Sequence, residues 1–150
     1  MKRFQFTLKS VATVRAHREM LAREALASAA RARAAAGARL AESALRLSEM
    51  ERARTEGRSG RFRPADDVAF FHAYRRERSI ESECSRQVEM ASAEVETRRA
   101  ACIEANRALK AIERFEAAAL DAHRTAAFRA EQAEFDELAG RRSARPRHFS

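Results

Sequence analysis

The sequence predicts an all-α protein in which two long helices form an antiparallel coiled-coil hairpin, the second helix longer than the first. Composition is the first indication of this fold class. Alanine supplies 35 of the 68 hydrophobic residues, and the 150-residue chain holds only four glycines, two prolines and no tryptophan. Because alanine favours helix formation and buries little area, this composition is typical of long helices with a narrow apolar seam.

The first helix is predicted over residues 5–56. Apolar residues recur at helical spacing along its first half. This stripe consists of Phe4, Leu8, Val11, Val14, Leu21 and Ala25. An alanine- and arginine-rich run follows, and Leu40, Leu47 and Met50 then resume the apolar pattern.

The opening segment MKRFQFTLKSVATVR allows other interpretations. Phe4, Phe6 and Leu8 alternate as in an edge strand, which we interpret as incidental to a helix that begins near residue 5. Two basic residues before apolar ones also resemble a secretory signal. Lys9 and Arg15 interrupt the apolar core that such a signal needs, so we expect a cytoplasmic protein.

A loop is predicted over residues 57–64, where several turn signals coincide in the segment EGRSGRFRPADD. Gly57 suits a helix C-cap, since glycine readily adopts the left-handed conformation required there. Pro64 suits the first position of the next helix, and Asp66 and Asp67 suit its first turn. The loop therefore separates two helices and not two domains.

The second helix is predicted over residues 65–139 and has the clearer heptad pattern. Nine positions follow strict alternating spacings of four and three, and eight of them are apolar. They are Cys84, Val88, Ala91, Val95, Arg98, Cys102, Ala105, Leu109 and Ile112. This spacing is the signature of a coiled-coil seam. Phe115, Phe128 and Phe135 fall off it, which predicts a local stutter beyond Ile112.

A short loop between two helices predicts an antiparallel pairing. With the turn near residue 60, the numbers of facing residues should add to about 121, so that residue 8 faces residue 113. Residues 115–139 should then extend beyond the start of the first helix. We expect one coiled-coil domain over residues 1–139, about 75–110 Å long, and a disordered basic tail over residues 140–150.

The net charge of +8 is concentrated in three short segments. Residues 1–18, 57–63 and 140–150 hold 12 basic and no acidic residues, whereas the rest of the chain has a net charge of −4. A duplex-binding protein would show a continuous basic stripe instead. We therefore expect no nucleic-acid partner.

The sequence lacks the constellations of a catalytic or metal site. The four histidines are scattered, and no glycine-rich phosphate loop is present. Cys84 and Cys102 lie about 27 Å apart on a continuous helix, too far for a disulfide. We expect no enzyme activity, no cofactor, no metal and no small-molecule substrate.

Two aromatic segments could bind a partner. In VAFFHAY, residues 68–74, Phe70 and Tyr74 can share the seam while Phe71 points elsewhere. These side chains could cap the hairpin core, or Phe71 could join Phe62 as an exposed anchor. Near the C-terminus, Phe128, Phe135 and Leu138 would form an interaction face or belong to a fraying end.

Each end of the chain carries a distinctive pattern. The N-terminal pattern consists of Met1, Lys2, Phe4, Phe6, Leu8, Val11, Val14 and Arg15. The C-terminal segment EQAEFDELAGRR supplies Phe135, Asp136, Glu137, Leu138, Ala139 and Arg141. These two ends resemble the FliJ family of flagellar export proteins. Length and the two-helix layout agree, so the resemblance extends over nearly the whole chain.

The resemblance implies a stalk-like antiparallel coiled coil at the cytoplasmic face of the inner membrane. Its partners would be the hexameric secretion ATPase, the export gate membrane protein and export chaperones. The implied ATPase-binding residues are Phe4, Leu8, Val11, Arg15, Arg18, Phe128, Phe135, Leu138 and Arg141. The implied gate- or chaperone-binding residues are Leu47, Met50, Phe71 and Tyr74.

Three other functions remain open from the sequence. The chain could serve a virulence-type secretion system, whose stalk proteins have a similar shape. It could also be a nucleic-acid-associated basic coiled coil, or a structural coiled coil that dimerises through its alanine-rich surface. Steep salt dependence of binding would indicate the second function.

Overall fold

The computed structural model describes residues 3–57 and 63–143 and contains two helices, α1 (Lys9–Gly57) and α2 (Pro64–Ser143). They pack against each other as a hairpin, with 49 residues in α1 and 80 in α2. The predicted fold class is confirmed. The centre of the predicted loop, residues 58–62 with Phe62, and residues 144–150 of the predicted tail lie outside the described residues.

The helix starts differ in how well the sequence predicted them. The start of α2 follows the prediction, because the Asp66 and Asp67 amides donate to the Arg63 carbonyl at 3.1 and 3.4 Å, immediately around Pro64. The expected start of the first helix near residue 5 is wrong. Residues 3–8 are not helical, and α1 begins at Lys9. At the other end, α2 continues to Ser143, past the expected end at residue 139.

The chain divides into two compact units. The end unit combines the chain up to Glu19 with the chain from Ala105 onward, and the middle unit comprises Met20–Glu104. The predicted register holds in each. In the end unit the Arg15 side chain donates a hydrogen bond to the Ala108 carbonyl, and these two residue numbers add to 123. In the middle unit the Ser43 hydroxyl donates a hydrogen bond to Glu77, and these two residue numbers add to 120.

The seam of α2 follows the predicted heptad positions. Of the nine predicted positions, eight are buried or half-buried, and only Arg98 is exposed. The predicted stutter beyond Ile112 is wrong, because Glu116, Ala119 and His123 are half-buried at the same spacing. The four-three spacing of the seam therefore continues beyond Ile112. Polar residues occupy two of these three positions, so a search for apolar residues does not detect the continuation.

The seam of α1 also contains polar residues, and the predicted apolar stripe is partly wrong. Leu8, Val14 and Leu21 of that stripe are exposed. From Arg15 onward, most buried and half-buried positions instead recur at four-three spacing, interrupted at the exposed Arg33. They are Arg15, Glu19, Ala22, Leu26, Ala29, Ala36, Leu40, Ser43, Leu47, Met50 and Arg54. With small or polar residues at many of these positions, the seam buries little apolar area per turn.

Neither described helix has an apolar stretch long enough to cross a membrane.

Candidate functional site

An N-terminal strap, residues 3–8, packs along α2 in the end unit. Phe4 and Phe6 are half-buried while Gln5 and Thr7 are exposed, as expected of an extended segment with one face packed against a helix. The Phe4 ring lies edge-on to His123 at 5.4 Å between centroids, and the Phe6 ring lies 6.1 Å from Phe115. The alternation of Phe4 and Phe6 is therefore structural, and interpreting it as incidental was wrong.

The strap changes where the uncovered part of α2 begins. We expected this part to start near residue 115, but side chains remain half-buried as far as Ala127. An extended segment rises about 3.3 Å per residue, against 1.5 Å for a helix, so six strap residues reach farther along α2 than helix would. From Phe128 to Arg142 every residue is exposed.

The uncovered segment presents an outer stripe of three apolar side chains, Phe128, Phe135 and Leu138. Their exposed fractions are 66%, 69% and 56%. Phe128 follows the seam residue His123 by five positions, and at 100° per residue this places it on the side of α2 away from the seam. Phe135 follows one heptad later. The outer stripe is thus a face distinct from the one that packs in the hairpin.

Charged residues border the outer stripe. Four acidic residues lie within residues 128–138, against one arginine. Arg141 donates to Glu137 at 2.6 Å, one helical turn away. Because both side chains are largely exposed, this ion pair adds little stability. Arg141 therefore remains on the surface where a partner could reach it.

The other residues implied for ATPase binding differ in exposure. Arg15 is half-buried, and its Nη1 donates to the Ala108 carbonyl at 2.9 Å, so it joins α1 to α2. Val11 is half-buried, and Leu8 and Arg18 are exposed. The structure thus brings Phe4 and Arg15 onto α2, whereas Phe128, Phe135 and Leu138 contact no described residue of α1.

A second group of side chains lies in the middle unit where α1 ends and α2 begins. This turn-end cluster consists of Glu51, Arg54, Phe70, Phe71 and Tyr74. Phe70 stacks on Tyr74 at 5.7 Å and meets Phe71 edge-on at 5.9 Å. The Arg54 guanidinium lies 4.9 Å from the Phe70 ring and 4.5 Å from the Phe71 ring, within range of a cation–π interaction.

The turn-end cluster surrounds a pocket of about 300 Å³, completed by Thr55. Phe70 and Tyr74 are half-buried in the seam as predicted, and Phe71 is 52% exposed beside them. The arrangement agrees with capping of the hairpin core by Phe70 and Tyr74, and it leaves Phe71 accessible. The aromatic side chains close the end of the seam, and Phe71 offers half of its surface to solvent.

Tyr74 and Glu51 join the two helices by a short hydrogen bond. The Tyr74 hydroxyl donates to Glu51 Oε1 at 2.6 Å. This bond favours the neutral phenol and raises the pKa of Tyr74, with smaller contributions from burial and from the Glu51 charge. The contact joins α2 to α1 within the cluster.

A second polar contact crosses the seam eight residues earlier on α1. Glu77 Oε1 accepts from Ser43 Oγ at 3.0 Å and from Arg46 Nε at 2.8 Å. The hydrogen bond from Arg46 is the main reason that the pKa of Glu77 is lowered, and burial opposes it. Since Ser43 is fully buried, this contact favours one register of the two helices over its neighbours.

The residues implied for gate or chaperone binding do not form one exposed face. Leu47 is only 5% exposed and packs in the seam. Its side chain offers almost no surface to a partner while the hairpin is intact. Met50 and Tyr74 are half-buried, so Phe71 contributes the largest accessible apolar surface among the four.

Sequence reasoning missed several residues that build these two surfaces. Arg54, Glu51 and His123 were not singled out, because charged and polar residues were assigned to solvated faces. A signal was available in the heptad spacing itself. Arg54 lies one heptad after Leu47, and His123 lies two heptads after Leu109, so extending the apolar seam would have placed both at the helix interface.

No metal site and no disulfide is found in the part of the chain that the structure describes. The described residues contain no group of three histidine, cysteine or acidic side chains that could hold a metal ion. Cys84 and Cys102 are both free and half-buried in the seam.

Comparison with known proteins gives one match. The family model described as "Flagellar FliJ protein" matches residues 4–148, nearly the whole chain. Neither the curated proteins nor the solved structures contain a match.

Proposed function

The chain belongs to the flagellar FliJ family, and from this premise we propose that it is the stalk-like partner of the export ATPase and an escort for export chaperones. Membership of the family makes it a component of flagellar type III protein export, and FliJ proteins are non-catalytic components of that process. The finer assignments rest on the two exposed surfaces, which are proposed to bind different partners.

The ATPase-binding end is proposed to be the uncovered part of α2. One observation carries this assignment: every residue from Phe128 to Arg142 is exposed, although Phe128, Phe135 and Leu138 are large apolar side chains. Aromatic side chains dominate the energy of protein interfaces, and two phenylalanines with a leucine on one helical face suit a groove that accepts an amphipathic helix.

The N-terminal residues are proposed to support this end in two ways. Phe4 and Arg15 hold α2 through contacts with His123 and Ala108. Leu8 and Arg18 are exposed and can contact the ATPase directly. Basic side chains at the entrance of an acidic or polar ring would orient the approach of the stalk more than they would tighten its binding.

The ATPase assignment is tested by co-precipitation with the hexameric export ATPase. The variant Phe128→Ala/Phe135→Ala/Leu138→Ala should lose at least about tenfold in affinity, since each side chain is an exposed anchor. Met90→Ala is the matched control, because Met90 is exposed on α2 in the middle unit. Wild-type affinity of the triple variant would refute the assignment.

The gate- or chaperone-binding surface is proposed to be the turn-end cluster and its surroundings. Phe71 is its main exposed apolar residue, and Met50 and Tyr74 are half-buried in the seam. Phe71→Ala should weaken binding to the purified export chaperones or to the soluble domain of the export gate protein. Unchanged binding to both would remove this surface from the proposal.

The proposed location is the cytoplasmic face of the inner membrane, with the protein held there by its partners. Fractionation of cells should find the chain with the membrane only when the export gate is present. Retention at the membrane without the gate protein would contradict this location.

A further inference from the structure

The turn-end cluster holds a cation whose hydrogen-bonding capacity is not used up. Arg54 has one ion pair with a described residue, the Asp67 carboxylate at 3.9 Å, which is longer than a hydrogen bond. Its Nε is buried and has no hydrogen-bond partner among the described residues. A guanidinium has five N–H donors, so Arg54 can still donate hydrogen bonds to a carboxylate. The adjacent Phe70 and Phe71 rings fix its position.

The same cluster offers room for an apolar side chain. The pocket of about 300 Å³ is walled by Phe70, Phe71 and Tyr74 on α2 and by Thr55 and Glu51 on α1. Phe71 is 52% exposed, so a ligand can cover it without displacing another side chain. An apolar group placed here would lie within a few ångströms of the Arg54 guanidinium, which also contacts the Phe71 ring at 4.5 Å.

Arg54 favours an acidic ligand, because its guanidinium lies against the aromatic wall of the pocket, 4.9 Å from the Phe70 ring and 4.5 Å from the Phe71 ring. A polyphosphate or anionic lipid surface is less suited to the pocket, because Glu51 forms one wall and Asp66 and Asp67 lie in the first turn of α2. A peptide can place one carboxylate on Arg54 and keep its remaining charges away from these acids.

We propose that the turn-end cluster binds an acidic segment of a partner protein, with an apolar side chain in the pocket against Phe71 and a carboxylate on Arg54. This rests on the proposed function and adds the chemistry of the partner: a helix or extended segment in which an apolar residue and an Asp or Glu share one face. Arg54 and the aromatic pair recognise these two groups together.

The test uses the full chain and a fluorescein-labelled peptide of about 18 residues, long enough to form a helix, with leucine and phenylalanine on one face and glutamates beside them. A second peptide has glutamine in place of every glutamate. Fluorescence anisotropy at about 50 mM salt gives both affinities. We expect the acidic peptide to bind at least about fivefold more tightly than the neutral one, the effect of one charge-assisted contact.

Two variants separate the parts of the site. Arg54→Gln should remove the preference for glutamate over glutamine, so that both peptides bind alike. Phe71→Ala should weaken both peptides by about fivefold, and Phe71→Leu should restore much of the loss. The control Leu45→Ala, on the exposed side of α1, should bind as the wild type does. Circular dichroism confirms that each variant is folded.

Several outcomes would overturn the inference. Equal affinity of the wild-type chain for the two peptides would show that Arg54 does not recognise a carboxylate. Phe71→Ala with wild-type affinity would show that the pocket is not used. Displacement of the acidic peptide by an equal concentration of a thymidine oligonucleotide or of phosphatidylglycerol vesicles would indicate a general polyanion site. Failure here with intact ATPase binding would leave the proposed stalk function standing.

Discussion

The two surfaces at which we expect partners both expose aromatic side chains, but their surroundings differ. At the turn-end cluster, Phe71 lies against Phe70 and the Arg54 guanidinium, and Tyr74 is hydrogen-bonded to Glu51 across the hairpin. Along the outer stripe, Phe128 and Phe135 have no described α1 residue beside them, and every residue from 128 to 142 is exposed. The turn-end cluster is therefore formed by contacts between the two helices, whereas the outer stripe is one face of α2 alone.

Because of this difference, substitutions at the two surfaces should affect the stability of the fold and the binding of partners differently. Substitutions in or beside the turn-end cluster should lower both, because the same side chains close the seam and face solvent. Substitutions in the outer stripe should lower binding alone.

Leu47 should give the largest loss of stability. Its side chain is 5% exposed in the α1 seam, one heptad before Arg54. Leu47→Ala should lower the free energy of unfolding by about 2–5 kcal/mol, the range for a buried leucine. Leu45→Ala, two residues away and exposed, should change it by less than about 0.5 kcal/mol. Urea denaturation measures both, and similar losses would contradict the assigned seam.

Phe6 should give the next largest loss, on the side of the outer stripe. Its half-buried ring packs near Phe115, so Phe6→Ala should cost about 2 kcal/mol, roughly half the cost of a fully buried phenylalanine. Hydrogen exchange should become faster around residues 112–124 of α2. Thr7→Ala is the control, because Thr7 is exposed in the same strap. Unchanged exchange would show that the strap does not hold α2.

Substitution of one phenylalanine in each surface compares what the turn-end cluster and the outer stripe contribute to the free energy of unfolding. Phe71→Ala should lower the free energy of unfolding by about 1 kcal/mol, since it removes a ring contact and a cation–π interaction. Phe135→Ala should leave it within about 0.5 kcal/mol of the wild type. Equal losses in thermal or urea denaturation would mean that the outer stripe is packed in solution.

Acid should weaken the middle unit through Glu77. Its pKa is lowered in the folded state, mainly by the hydrogen bond from Arg46. A lowered pKa stabilises the fold above the ordinary glutamate value near 4.5, and that stabilisation is lost as pH falls below it. Glu77→Gln should therefore melt at a lower temperature than the wild type at pH 7, and the difference should shrink as the pH falls below 4.5. Glu89→Gln is the exposed control; a difference independent of pH would contradict the assignment.

The sequence contains most of the information for the fold. Low glycine and proline content, the turn signals around Gly57 and Pro64, and the seam from Cys84 to Ile112 predicted two helices, their order and their register. The strap was missed because Phe4, Leu8 and Val11 also satisfy helical spacing. Only the contacts with Phe115 and His123 show that an extended chain buries more aromatic surface there.

The candidate surfaces could be predicted only in part. Phe128, Phe135 and Leu138 were found because large apolar residues are rare in an alanine-rich helix. Leu47 was placed in the apolar pattern of the first helix, but Arg54, one heptad later, was missed because its residue type does not indicate burial. The seam also contains Arg15, Glu19 and Glu116, so a search for apolar residues alone does not identify which heptad positions form it.

We propose that the outer stripe, and not the turn-end cluster, binds the export ATPase. This is tested by calorimetric titration of the hexameric ATPase with Phe128→Ala/Phe135→Ala/Leu138→Ala and with Arg54→Gln/Phe71→Ala. We expect at least about tenfold weaker binding for the stripe variant and wild-type affinity for the cluster variant. Wild-type affinity of the stripe variant, or a comparable loss in the cluster variant, would contradict it.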